Sequence, residues 1–374
     1  MRRRRMGALH VGEPRVTTFH PQPAVAAGTN KNGHGPVVEE IHGLIRVYKD
    51  GHVDRPPAIP DVPCNWGSTA PGAPGGVVAR DVVVDRSTGV WARLYAPMTS
   101  AGSPGGSRLL PVVVYFHGGG FCVGSAAWSC YHEFLAQLAS RACCAVMSVD
   151  YRLAPEHRLP AAFDDGLAAV RWLRHQAAMA TTRAAPDELS WWRSRCGFDR
   201  VFLMGDSAGA NIAYHVAARL GQGGHLGVGG AVSPLVLRGV VLVQPFFGGE
   251  ARTVSEKTMT QPPRSALTLP TSDCYWRLAL PGGASRDHPW CNPLLSRLET
   301  LPLPPLLVCV SEMDILRDRN VDLCRALRKA GKSVDEAMYG GVGHAFQVLH
   351  NYHLSQTRTQ EMLARIKAFV SATR

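Results

Sequence analysis

The sequence predicts an α/β protein with a mostly parallel central sheet, helices on both faces and a cap beside it. Three observations predict this. Continuous apolar runs of strand length recur, as in "PVVVYF" (111–116), "CAVMSVDY" (144–151), "RVFLMG" (200–205) and "RGVVLVQP" (238–245). Helical patterns alternate with them, as a parallel sheet buried on both faces requires. The rhythm stops over 247–304, where Pro, Trp, Thr and charges mix with short helical patches. That stretch reads as an insertion beside the crevice where such sheets place ligands.

The elements follow in order. Residues 1–36 are rich in Pro, Gly, Asn, His and Arg and read as a disordered basic tail, ahead of a single domain over 37–374. In "VVEEIHGLIRVYKDGHVDRP" (37–56), Val37, Val38, Ile41, Leu44 and Ile45 follow a helical stripe, and "YKDGHV" reads as a turn between two extended pieces. This segment, to about residue 60, is a candidate cover for the main body. "DVVVD" (81–85) and "VWARLYAP" (90–97) form an antiparallel pair around "RSTG", and 100–108 is a flexible loop. Strand 111–116, helix 131–142, strand 144–151 and a helix over 160–178 with Pro in its first turn come next. Then follow strand 200–205, helix 208–220, strand 238–245, strand 305–314, helix 320–331, strand 333–340 and a closing helix over 359–372. The Gly-rich "GQGGHLGVGG" (221–230) follows a helix rather than a strand, so it reads as a surface loop and not a phosphate cradle.

Composition narrows the function. The 374 residues are 45% apolar and 18% charged, ordinary for a globular protein, and no apolar run reaches membrane-spanning length. The net charge of +11 is partly due to four arginines in "MRRRRMGALH". No apolar segment follows them, which argues against a secretory signal and for a cytoplasmic protein; an organellar or nuclear address stays open. The other basic residues are scattered outside any nucleic-acid motif, so no nucleic-acid partner is expected. The ten cysteines lack metal-ligand spacing and read as free thiols, and His350 and His353 in "HNYH" lack further ligands. Neither a metal nor a cofactor is expected, and nothing in the sequence sets the oligomeric state.

The chemistry concentrates in "GDSAG" (205–209), between a clear strand and a clear helix. A serine on so tight a turn needs unusual backbone angles, and Gly205 and Gly209 leave room for strand and helix to approach. Ser207 is then lifted clear of the sheet edge as a nucleophile. It needs a base, usually His held by a carboxylate, and in this architecture both come later in the chain. Asp314, after strand 305–310, and His344, after the last strand, stand in those places. Glu312 and Asp318 compete with Asp314, though Asp318 lies a helical turn on and reads as a surface charge. Negative charge developing on an ester carbonyl needs preorganised donors. "HGGGF" (117–121) ends a buried strand, and its Gly118 and Gly119 amides, with that of Ala208, are the candidate oxyanion hole. Glu156, Asp164 and Asp165 in "DYRLAPEHRLPAAFDDG" read as loop and helix-end partners. Phe121, Tyr151 and Phe346 are candidate pocket residues, with core packing an equal alternative.

Together "HGGGF", "YRLAPE", "GDSAGANIA", "DILRD" and "GVGHAF" resemble the plant carboxylesterases of the hormone-sensitive-lipase-like group of α/β-hydrolases, over about residues 37–372. The resemblance implies the α/β-hydrolase fold, a Ser207–His344–Asp314 triad, an oxyanion hole at Gly118, Gly119 and Ala208, and an N-terminal lid fitting 37–60. It implies a small-molecule ester as substrate and an acyl-enzyme intermediate. The same family holds gibberellin receptors, which resemble esterases that have lost the catalytic histidine, and hydroxyisoflavanone dehydratases with similar triads. His344 is present here, which favours an enzyme. A non-catalytic receptor and a dehydratase are the alternatives.

Overall fold

A computed structural model of the chain describes residues 33–65, 76–98, 109–181, 187–222, 233–261 and 265–372. The basic tail up to 32, the loop at 100–108 and the Gly-rich run from 223 lie outside the described residues.

Among the described residues three short strands come first: β1 (Val37–Ile41), β2 (Ile45–Tyr48) and β3 (Val53–Asp54). The main body runs β4 (Val77–Asp85), β5 (Val90–Pro97), β6 (Leu110–Phe116), α1 (Ser129–Ala142), β7 (Ala145–Asp150), α2 (Ala161–Thr181) and α3 (Ser190–Arg193). It continues with β8 (Cys196–Asp206), α4 (Ala208–Gln222) and β9 (Leu237–Val243). Helices α5 (Val254–Thr258) and α6 (Leu269–Ala279), in the stretch expected to form a cap, follow. The chain closes with β10 (Leu306–Ser311), α7 (Arg317–Lys329), β11 (Val334–Tyr339), α8 (Phe346–Leu349) and α9 (His353–Ala372).

Among the described residues the main sheet has eight strands in the order β11-β10-β9-β8-β6-β7-β5-β4. The β4–β5 and β5–β7 pairings are antiparallel and the rest parallel. Successive side chains of a strand point to opposite faces, and β6 shows it. Val112, Val114 and Phe116 pack with Phe163 and Leu173 of α2 and Ile212 and Val216 of α4. Val113 and Tyr115 pack with Phe134 and Leu138 of α1 and Met362 and Ile366 of α9. Burying each such side chain stabilises by about 1.5–3 kcal/mol, so the central strands are the firmest part of the molecule.

The first segment differs from expectation. Residues 37–45 form a hairpin, not a helix. Ile41 and Ile45 face each other across strands β1 and β2, with Gly43 at φ +73° in the turn. The four-residue spacing that suggested a helix is a cross-strand pair. Glu39 on this hairpin reaches Arg277 of α6 at 2.7 Å, which ties it to the cap.

The stretch 247–304, expected to form a cap, contains the short helices α5 and α6. Thr253 and Glu256 cap the start of α5 reciprocally. Buried Arg319 of α7 donates to both Glu256 oxygens, at 3.1 and 2.9 Å. Asp318 accepts the Ser255 N–H at 2.6 Å; it is an anchor for the cap rather than a surface charge. All ten cysteines are free.

Candidate active site

β8 ends at Asp206 and α4 begins at Ala208, leaving Ser207 alone on the turn at φ +53°. That left-handed conformation is costly for a residue with a side chain. Two bonds hold it: the Ser207 N–H donates to the Val243 carbonyl at 2.8 Å, and the Ser207 carbonyl accepts the Phe246 N–H at 3.0 Å. The flanking glycines are sterically required. A Cβ at Gly205 would strike the Gly209 carbonyl, and one at Gly209 would strike that of Phe116.

Side chains far apart in sequence converge there. The His344 Nε2 lies 2.9 Å from Ser207 Oγ, and its Nδ1 lies 2.6 Å from Asp314 Oδ2. A carboxylate only accepts, so Nδ1 carries the proton and Nε2 faces the serine as an acceptor. Asp314 also accepts the Leu316 N–H at 3.0 Å, which fixes its plane. Glu312 binds the Gly341 N–H instead, at 2.8 Å. Ser207, His344 and Asp314 are all buried, at 6%, 5% and 1% exposure, so the three interact with little screening by water. Burial pushes the imidazole pKa down, but the charge and hydrogen bond of Asp314 outweigh it and leave His344 above the ordinary 6.5.

The glycine-rich loop corrects one expectation. The Gly118 N–H is already donated to the Tyr131 phenol oxygen at 2.8 Å, so it is not free to receive an oxyanion. The amides of Gly119, Gly120 and Ala208 have no protein acceptor among the described residues. Gly119 and Gly120 have φ of +112° and +60°, and a Cβ on Gly120 would run into the Tyr275 ring. The amides without a protein acceptor among the described residues thus fall one residue later in this loop than the candidate donors read from the sequence.

The three aromatic candidates sit in the core. Phe121 packs on Phe246 and Trp276. Tyr151 stacks on the His117 ring at 4.3 Å and donates its hydroxyl to the His117 carbonyl at 2.8 Å, so it buttresses the glycine loop. Phe346 packs against Tyr339 in the cluster under α1 and α9. Glu156, Asp164 and Asp165 pair with Arg55, Arg219 and Arg152.

Sequence reasoning passed over Asp206, the variable position of the serine motif. Its buried carboxylate accepts the Tyr115 hydroxyl at 2.6 Å and that of Tyr131 at 3.1 Å. Tyr131 thus joins Asp206 to Gly118, linking the serine turn to the glycine loop. Burial raises the Asp206 pKa against the opposing pull of Tyr115 and His117. Its partners lie in other elements, so nothing adjacent in sequence announced the network.

A family model described as the alpha/beta hydrolase fold matches residues 113–348, which takes in the glycine loop, the serine turn, Asp314 and His344. The chain belongs to the α/β-hydrolases. Within them it falls in the hormone-sensitive-lipase-like group, alongside plant carboxylesterases and gibberellin receptors. It is 47% identical to the Arabidopsis thaliana protein named "Probable carboxylesterase 6", over 95% of this chain and 96% of that one. It is 34% identical to a gibberellin receptor of the same plant, over 78% of this chain and 81% of the receptor. Among solved structures it is similar to EstE1, a thermostable carboxylesterase cloned from a metagenomic library, with a TM-score of 0.62 and 28% identity over 78% of this chain and 89% of that one. No helix among the described residues is long and apolar enough to cross a membrane.

Proposed function

We propose that the protein is a serine carboxylesterase that hydrolyses carboxylic esters of small molecules. The observation that carries this is the unbroken chain from Asp314 through His344 to Ser207, at 2.6 and 2.9 Å. His344 Nε2 takes the Ser207 proton as Oγ attacks the acyl carbon. The carbonyl π electrons move to oxygen, and the amides of Gly119, Gly120 and Ala208 receive that charge. Losing one such donor costs about 3–4 kcal/mol of transition-state stabilisation. Collapse expels the alcohol, which leaves with the proton from His344. Water then attacks the acyl-serine by the same route, releasing the acid and restoring Ser207. Asp314 holds the imidazole tautomer and stabilises its cationic form.

The strands of 37–60 and the insertion at 247–304 act in this proposal as lid and cap. Arg55 supports the lid assignment. It donates to the Cys122 and Ala154 carbonyls at 2.7 and 2.9 Å, on either side of the glycine loop's exit.

Purified protein mixed with p-nitrophenyl acetate is expected to release nitrophenol continuously, and Ser207→Ala to release none above background. Wild-type protein that binds small molecules but turns over no ester would instead mark a receptor built on the same fold.

A further inference from the structure

The residues that follow β9 form a short connection between the nucleophile and the other two members of the triad. Gln244 is fully buried at φ +47°, a conformation side-chain-bearing residues rarely adopt. Its N–H donates to the Cys309 carbonyl of β10 at 2.8 Å. Its side-chain Oε1 accepts the Ala345 N–H at 2.6 Å, and its Nε2 donates to Ser311 Oγ at 2.7 Å. The amide orientation is forced. A backbone N–H only donates, so the oxygen must face Ala345 and the NH2 must face Ser311.

Both partners adjoin the triad. Ala345 directly follows His344 and is itself left-handed at φ +57°, and Ser311 ends β10 just before the Asp314 loop. The other end of the segment is bonded to the nucleophile, because the Phe246 N–H donates to the Ser207 carbonyl at 3.0 Å. Between them, Pro245 offers its carbonyl to Asn320 Nδ2 at 2.8 Å, and Phe246 offers its own to Asn211 Nδ2 at 3.0 Å. The stretch 244–246 is therefore a strut. One end grips the histidine and acid loops, the other grips the serine turn, and α7 and α4 brace the middle.

We propose, resting on the esterase reading above, that Gln244 is a positioning residue that sets the separation of His344 from Ser207. It touches no reacting atom. It acts through the Ala345 amide, holding the histidine loop in its left-handed turn.

The test is steady-state hydrolysis of p-nitrophenyl acetate by folded variants, with folding checked by thermal melting. Gln244→Met keeps the volume and removes both side-chain bonds. Its kcat is expected to fall about 30- to 100-fold, the scale of a 1 Å misplacement, with KM within about twofold. Gln244→Glu still offers an acceptor to Ala345, and the Ser311 hydroxyl can turn to meet it, so kcat is expected to recover to within about fivefold of wild type. A merely structural residue would lower the melting temperature in both variants and leave kcat per folded molecule unchanged. If Gln244→Met does not fold, Ser311→Ala decides. Removal of one bond is expected to lower kcat about three- to tenfold at constant KM, and an unchanged kcat overturns the proposal. Active wild type with an unaltered, folded Gln244→Met overturns the positioning role alone. Wild type without turnover overturns the esterase reading and the positioning role together.

Discussion

The floor and the roof of the site are held by different forces. The floor is the serine turn between β8 and α4, with the ends of β6, β9 and β10 around it. It is fixed by backbone contacts too close for a Cβ, by buried hydrogen bonds and by apolar strands with no exposure. The roof is the N-terminal hairpin against α6. Glu39 meets Arg277 with side chains 27% and 56% exposed, and Arg55 meets Glu156 at 26% and 41%. Exposed ion pairs of this kind contribute about 0–1 kcal/mol each and are screened by salt. The floor is thus held by close packing and buried bonds, and the hairpin by contacts that solvent can screen. The cap proper lies between the two: its Arg319–Glu256 pair is buried, and the Phe246–Trp276 stack at 4.6 Å seats α6 on the floor.

Changes in the floor should be severe. Asp314→Asn keeps the shape but loses control of the imidazole tautomer, and kcat for p-nitrophenyl acetate is expected to fall about ten-thousand-fold, as for the matching change in serine proteases. A fall of less than about tenfold would show that the acid is not Asp314. Gly209→Val should destabilise by about 3 kcal/mol or more, since its Cβ meets the Phe116 carbonyl. Thermal melting reads this, and an unchanged midpoint would mean that strand and helix can separate there.

The pH dependence sharpens the comparison by reporting on the floor alone. His344 must be neutral to accept the serine proton, and its pKa stands above the ordinary 6.5. The kcat/KM profile should therefore rise with pH through a limb centred above 6.5. In Asp314→Asn the supporting charge is gone, so the residual activity should titrate at lower pH than in wild type. A wild-type limb below 6.5 would mean that burial outweighs Asp314. The smallest effect belongs to the roof. Arg277→Ala should leave kcat within about twofold and change mainly KM, with the difference shrinking at high salt. A loss of kcat comparable to that of the floor variants would erase the distinction.

The legible parts of this molecule follow the same division. Strands β6, β8, β9 and β10 could be read because burial on both faces leaves continuous apolar runs. The serine turn could be read because the glycines that let strand and helix touch are part of its motif, and the convergence of Asp314 and His344 on it because chain order reflects topology. The hairpin was misread because a cross-strand pair at Ile41 and Ile45 has the same spacing as a helical turn. The Gly118 amide reads as free for an oxyanion because its acceptor, Tyr131, comes from a helix whose orientation no local pattern encodes. Phe121, Tyr151 and Phe346 carried the same ambiguity, since sequence does not tell which way an aromatic ring points. Gln244 and Asp206 were invisible because each is defined by partners in other elements.

The central claim is that Ser207 becomes acylated. Wild-type protein should be mixed rapidly with p-nitrophenyl acetate, quenched in acid, digested and weighed by mass spectrometry. An acetyl group on the peptide bearing Ser207, accumulating as nitrophenol appears and absent when Ser207 or His344 is replaced by Ala, is the predicted result. Sustained nitrophenol release with that peptide unmodified throughout, or with the acetyl group on another side chain, would contradict it.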